Sequence, residues 1–280
     1  MEMLLSLQIY SWSEQELLSK GYRILSAQSE RDQKHFCVLK TTIEKIQQFF
    51  LNQLQLFAAS TTERMYPFVI QFQNNKAFYR VPTQNDQHEY FTFTDEYVYS
   101  PELVAHEFTH GMIERLNPLG NQGEAGAINE AIADIVGVVF KRNMFGKNYI
   151  DWKIHAIRDL SCEFFIFRDK TTQKNYQNVI KLKPNKFPSE KNDYGYIHNN
   201  SNFLSHAFYL AATHSYITKV DPKHLTMLHI WLTAIKNLSD QEKTFKKFAE
   251  KTVEIAGNKE GVFYRDAIKF SWKKVGLNFS

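Results

Sequence analysis

The chain is poor in cysteine. Cys37 and Cys162 are the only two among 280 residues. That argues against a disulfide framework and leaves too few thiolates for a cysteine-held zinc centre. Any metal must then be held by histidine and carboxylate. Long apolar runs are missing too, since no stretch approaches the roughly 18 residues that a membrane-spanning helix needs. The opening MEMLLSLQIYSW is apolar but short, carries Glu2 and has no basic leading segment. It does not read as a secretory signal, and a cytoplasmic protein, or one delivered into a host cell, is expected over classical secretion. Charge of one sign is also lacking. The net charge is only +4 and the lysines are scattered, so neither nucleic acid nor membrane is an expected partner. The cluster FKKFAEK at Phe245 reads as a solvated helix face.

What is present is ordinary globular composition, with 43% hydrophobic and 23% charged residues. The length suffices for two lobes and a sizeable core. Aromatics reach 15%, led by 23 Phe and 14 Tyr, which points first to bulky core packing and second to an aromatic-lined groove. Residues 1–35 mix short apolar pieces with turns, and Ser13 with Glu16 forms a capping-box pattern that Gly21 can close. From Phe36 to Ala59, apolar residues at Leu39, Ile43, Ile46, Phe50, Leu54 and Phe57 make a helical stripe. Strand-like pieces follow at YPFVIQF, AFYRV and EYFTF, separated by turn-rich NNK and PTQNDQ. Ser100-Pro101 is a helix start, and the helix it opens should run to about Leu116. A second helix should start near Glu124. Residues 141–195 read as loop-rich, and helical patterns follow at about 199–217, 223–237, 240–256 and 259–274. The chain therefore reads as a mixed α/β N-terminal lobe, residues 1–118, and a mostly helical C-terminal lobe, residues 119–280, with the site at their join.

The first of those two helices carries VAHEFTHG, Val104 to Gly111. Residues four apart share a helix face, so His106 and His110 can offer two imidazoles to one ion. Glu107 is rotated off that line, close to an ion without being needed as a ligand. A hydrolytic zinc site requires two such histidines, a third ligand, an open position for water and a base beside it. Two histidines sharing a face with no ion is the bland alternative, so the third ligand decides. Glu130 lies twenty residues after His110, in GAINEAIADIVG. A glutamate on a face shared with Ile128, Ala131, Ile132, Ile135 and Val136 is costly to bury unpaired. A salt bridge would satisfy it, and a zinc ion explains it better. Asp134, one turn on, suits the role of orienting a liganding histidine through its far nitrogen. His206 and His214, eight residues apart, are about two turns away from each other and too distant to share one ion.

VAHEFTHG with GAINEAIAD resembles the thermolysin family of zinc metalloendopeptidases. DYGYIHNNSNFLSHAFYL from Asp193, HAIRDLS around Arg158, QNNKAFY from Gln73 and the terminal WKKVGL extend the resemblance. It is specific over about 100–140 and 193–277, and weak before residue 70, where this chain is shorter than the family's usual N-terminal lobe. The resemblance implies an α+β, two-lobe fold with one zinc ion held by His106, His110 and Glu130. Glu107 would act as general base and His198 would stabilise the oxyanion, with Asp193 orienting that histidine. Arg158 would bind a substrate carbonyl beyond the scissile bond. Asn75 and Ala77 would hold substrate backbone along a strand edge, and Leu103 and Ile157 would help line an apolar pocket for the residue after the cut.

Two departures from the family pattern carry consequences. The family's second oxyanion donor, a tyrosine eleven residues after the second motif histidine, is replaced here by Asn121, with a shorter reach. The family's paired calcium ions need acids on both central helices. Glu102 is retained, but Lys141 stands where a further acid belongs, so no double calcium site is expected. The leading reading is an active zinc endopeptidase acting on peptides or proteins, with a monomer favoured. A protease-fold zinc protein with little turnover, acting by binding, is the alternative. A helical interaction protein with a structural zinc is a third, weakened by finding three ligands and an adjacent base where structural zinc usually has four protein ligands.

Overall fold

In the computed structural model, residues 8–11, 30–54, 67–70, 77–80, 90–94, 96–146, 151–167 and 170–279 are described. The chain divides into two compact units, Met1–Gly111 and Met112–Ser280.

In the first unit the helical stripe forms α1, Glu30–Gln48, which runs on into a wider, π-type turn at Phe49–Leu54. Leu39, Ile43 and Ile46 are fully buried, as their spacing requires. The wide turn begins where two adjacent phenylalanines, Phe49 and Phe50, are both buried and meet edge to face. Strands β1 (Gln8–Ser11), β2 (Pro67–Ile70), β3 (Phe78–Arg80) and β4 (Tyr90–Phe93) form one sheet in the order β1-β2-β4-β3. β1 with β2 and β2 with β4 are parallel, and β3 runs antiparallel to β4 with Tyr79 opposite Phe91. The three strands read from the sequence are β2, β3 and β4. β1 was not legible, because no turn-rich gap sets it off from the apolar MEMLLSL before it. The capping pattern at Ser13 and Glu16 lies outside the described residues.

The motif helix is α2, Pro101–Leu116. Phe108 fixes its rotation, stacking on Phe91 and packing against Phe50 at ring separations of 6.0 Å. His106 and His110 lie two residues to either side of Phe108, roughly half a turn away. Burying that ring against the sheet and the wide turn after α1 therefore turns both histidines to the opposite face.

The second unit is built on α3, Gly123–Phe145, whose residues from Gly126 to Lys141 are buried apart from Asn129. A helix apolar on nearly every side must be enclosed. It packs against α5 (Asp193–Ala212), α7 (Leu225–Lys236) and α8 (Phe245–Ile255), while α9 (Val262–Lys274) packs on α5 and α8. The core here is aromatic. Trp231 stacks on Trp272 at 5.1 Å, Phe248 meets Trp231 and Trp272 edge to face, and Phe203 does the same with Phe245 and Trp272. The buried indole Trp272 Nε1 donates to Thr252 Oγ1 at 2.9 Å.

The stretch read as loop-rich holds more order than expected. α3 continues to Phe145, and two antiparallel pairs follow, β5 (Lys153–Ile154) with β6 (Arg158–Asp159) and β7 (Phe164–Phe167) with β8 (Lys170–Gln173). A short helix α4, Tyr176–Ile180, is capped by Asn175, whose side chain accepts from the Asn178 amide. Strands of two residues leave no alternation to detect. A one-turn helix α6, Ile217–Val220, completes the unit. Among the described residues no helix is long and apolar enough to cross a membrane.

One buried group in this unit gives a pH prediction. His224 is buried beside Trp152 and Arg142. Burial, with a smaller effect from Arg142, lowers its pKa to about 4. The unfolded chain therefore binds the proton more readily, so this histidine's contribution to stability is full above about pH 6.5 and is lost as pH falls toward 4. The loss should approach about 3 kcal/mol. His224→Asn, which tolerates the left-handed backbone at this position (φ 58°), should flatten the urea-unfolding free energy between pH 6.5 and 4.

Candidate active site

On α2, His106 and Glu107 are buried and His110 is half-buried. The two imidazoles stand at 88° to each other, and their Nε2 atoms are 3.1 Å apart. Two ligands of a tetrahedral zinc ion with bonds of about 2.05 Å stand about 3.3 Å apart. Both nitrogens thus converge on one point at the spacing zinc requires. Among the described residues, His106, His110 and Glu130 offer one ligand atom each, all within 4.8 Å of one another. This donor set of two imidazoles and one carboxylate fits a hydrolytic zinc ion. Glu130 comes from the middle of α3, where it is only 9% exposed.

One turn later on α3, Asp134 is fully buried. It accepts two hydrogen bonds from Arg158 on β6, from Nε to Oδ2 and from Nη2 to Oδ1, each 2.6 Å. This bidentate pair was not legible in the sequence, which assigned Asp134 to a histidine and Arg158 to substrate separately. A planar guanidinium gripped along one edge has a fixed orientation.

α5 supplies the next group, and its first turn is unusual. Asp193, Tyr194, Gly195 and Tyr196 all have positive φ (53°, 50°, 100° and 62°), so right-handed helix begins only after them. The left-handed turn folds Asp193 back over the start of the helix. Its Oδ2 accepts from the His198 amide at 3.0 Å, and its Oδ1 lies 2.8 Å from His198 Nδ1. That contact assigns the proton to Nδ1 and frees Nε2, which lies 3.4 Å from Glu130 Oε2. Burial opposes a charge on His198, but the Asp193 hydrogen bond and the Glu130 and Asp193 carboxylates together outweigh it and raise its pKa. Asn192 accepts from the Gly195 amide and Asn200 donates to the Gly195 carbonyl, holding the turn from both sides.

The remaining residues take varied places. Asn121 is exposed in the loop before α3. Its backbone packs on Gly126, where a Cβ would lie 2.6 Å from the Asn121 carbonyl carbon and 2.9 Å from Ile197 Cγ2. Asn121 therefore sits beside the residue that precedes His198. Leu103 is buried on α2, seven residues before His110 and so on the same face. Ile157, in the turn between β5 and β6, is 51% exposed. Ala77 precedes β3, an edge strand of the described sheet, and Asn75 lies outside the described residues. His206, read as structural, sets its Nδ1 2.8 Å from the Leu160 carbonyl oxygen.

Residues 118–277, more than half of the chain, match the family described as thermolysin metallopeptidase, alpha-helical domain. The chain belongs to the thermolysin metallopeptidase family. Among named relatives, it is 26% identical over 186 residues to a bacillolysin of Bacillus amyloliquefaciens, covering 64% of this chain and 32% of that protein. It is 27% identical over 190 residues to an extracellular metalloprotease of Pectobacterium carotovorum, covering 63% and 53%. The chain thus spans a third to a half of the length of these relatives. The solved precursor of protealysin, a metalloproteinase from Serratia proteamaculans, superposes with a TM-score of 0.72 at 19% identity, over 96% of this chain and 87% of that one. That likeness shows the two-lobe thermolysin fold.

Proposed function

We propose that this protein is a zinc-dependent endopeptidase that cuts peptide bonds before bulky hydrophobic residues. The observation that carries the reading is the convergence of His106 and His110 Nε2 at 3.1 Å with Glu130 completing the ligand set. Bound there, zinc would lower the pKa of a coordinated water toward ~7 and polarise the scissile carbonyl. Glu107, one residue after the first ligand, takes the proton of the attacking water and passes it toward the leaving amine. His198, oriented by Asp193, donates from Nε2 to the developing oxyanion when both ring nitrogens are protonated, a form its raised pKa favours. Arg158, held by Asp134, offers its guanidinium to a substrate carbonyl. Ala77 and Asn75 accept extended substrate backbone by strand addition, and Leu103 with Ile157 gives the residue after the cut an apolar seat. Asn121 supplies a shorter donor than tyrosine would, and weaker oxyanion stabilisation goes with it.

Cleavage of a diverse peptide pool, read by mass spectrometry, tests the reading. Cuts should cluster before Leu, Phe and Ile and disappear with a zinc chelator. A chain that binds zinc and cuts nothing would instead be a protease-fold binding protein.

The same reading includes one zinc ion and no calcium pair. Lys141, 8% exposed near the end of α3, places its ammonium 3.6 Å from Asp151 Oδ2. A buried lysine beside a carboxylate supplies the positive charge a cation would otherwise bring. The Tm should therefore shift by less than about 2 °C between calcium and chelator selective for calcium. A larger rise would mean that a calcium site forms despite Lys141.

A further inference from the structure

Lys174 is a cation that the proposed chemistry does not use, and it is 3% exposed. It follows β8 directly, and its amide donates to the Glu163 carbonyl at 2.8 Å. Its Nζ donates to the carbonyl oxygen of Asp159 at 2.6 Å. Asp159 is the neighbour of Arg158 on β6. Burial lowers the pKa of Lys174, and the nearby charges of Cys162, Asp159 and Asp134 work against that shift. Burying an ammonium is costly, so a single backbone acceptor is a poor return in stability alone.

The next carbonyl along is held as well. His206 Nδ1 lies 2.8 Å from the Leu160 oxygen, and burial lowers the pKa of this imidazole, keeping it neutral. The Leu160 amide donates to Trp152 O at 2.8 Å. Beyond Arg158, then, two successive carbonyls are gripped by buried side chains from two other elements. α5 carries both His198 and, two turns later, His206. One helix thereby sets the register between His198 and the strand that presents Arg158. A two-residue pairing with β5 could not fix that strand alone.

We propose that Lys174 is a positioning residue for Arg158: by holding the Asp159 carbonyl it fixes the strand from which the Arg158–Asp134 pair presents its guanidinium to substrate. This rests on the reading of Arg158 as a substrate-carbonyl ligand. Losing the grip lets the guanidinium drift, and a substrate-carbonyl contact made equally in ground and transition state then weakens, which raises KM.

The test is a double-mutant cycle on the zinc-loaded full chain, with Lys174→Met, Arg158→Met and both together, read as KM and kcat with zinc content and Tm alongside. Lys174→Met is expected to raise KM about ten-fold with kcat nearly kept. Zinc content should be unchanged. In the Arg158→Met background the same change should alter KM by less than about two-fold. Lys174→Arg, which keeps a charged donor, should restore most of the affinity. If Lys174→Met fails to fold, Lys174→Gln replaces it in the cycle. Equal losses in both backgrounds, or no loss beside an intact Arg158, overturn the positioning role alone. No effect of Arg158→Met by itself overturns the Arg158 reading and this proposal with it.

Discussion

Glu107→Gln should keep the protein folded and zinc-loaded while removing nearly all peptide hydrolysis. The substitution is isosteric, and Glu107 is buried on the well-packed helix α2, so the amide fits where the carboxylate was. His106, His110 and Glu130 are untouched, and metal content should stay at one zinc per chain. What is lost is the proton acceptor beside the attacking water. General-base catalysis is worth about 10²–10⁴ in rate, and that fall should appear in kcat with KM little changed, because the proton moves only in the transition state. Steady-state kinetics on a fluorogenic peptide with a bulky residue after the cut, paired with zinc analysis, measures both quantities. Retention of more than a tenth of the activity would falsify the role given to Glu107.

The second large effect is expected at Gly195. Its φ of 100° lies in the left-handed region that side chains rarely adopt. A Cβ there would also fall 2.3 Å from the Pro184 carbonyl oxygen and 3.1 Å from Gly123 Cα and N. All three atoms are backbone and cannot swing aside. Gly195→Ala should therefore cost about 2–4 kcal/mol, strain and overpacking together, and lower Tm by roughly 10 °C. It should also damage catalysis, because the turn it distorts holds Asp193 against His198. Gly261→Ala is the control. Its φ is 92°, and nothing lies within 4 Å of the Cβ position, so it carries the backbone strain without the clash. A Gly195→Ala protein as stable and active as Gly261→Ala would show that the crowding around Gly195 relaxes freely.

The parts of this molecule that were legible in its sequence share one property: each rests on a local period or a fixed spacing. The i,i+4 histidines of α2, the apolar stripe of α1 and the buried face of α3 around Glu130 are all helical repeats, and a helix converts spacing directly into direction. Strands β2 to β4 announced themselves through turn-rich gaps. By contrast, β5 and β6, of two residues each, are too short for a period, and sequence reading left β5 to β8 as loop.

The left-handed turn at 193–196 was hidden for a different reason. Only Gly195 carries the usual mark of positive φ, while Asp193, Tyr194 and Tyr196 are held there by the Asn192 and Asn200 hydrogen bonds and by the pairing of Asp193 with His198. A chain does not display such compensation residue by residue. The Asp134–Arg158 pair joins residues 24 apart, on α3 and on β6, the strand that pairs with β5 where β5 packs on α3, and no spacing rule reaches that far.

By itself, then, the sequence determined that His106 and His110 share one helix face, because helical geometry places i and i+4 together whatever surrounds them. The resemblance already paired His198 with Asp193, and the tertiary structure decided how the other groups are aimed: Arg158 by Asp134, and the strand behind Arg158 by Lys174 and His206. Those orientations depend on buried hydrogen bonds between distant segments, which exist only once the apolar core has closed around them and excluded the water that would otherwise compete.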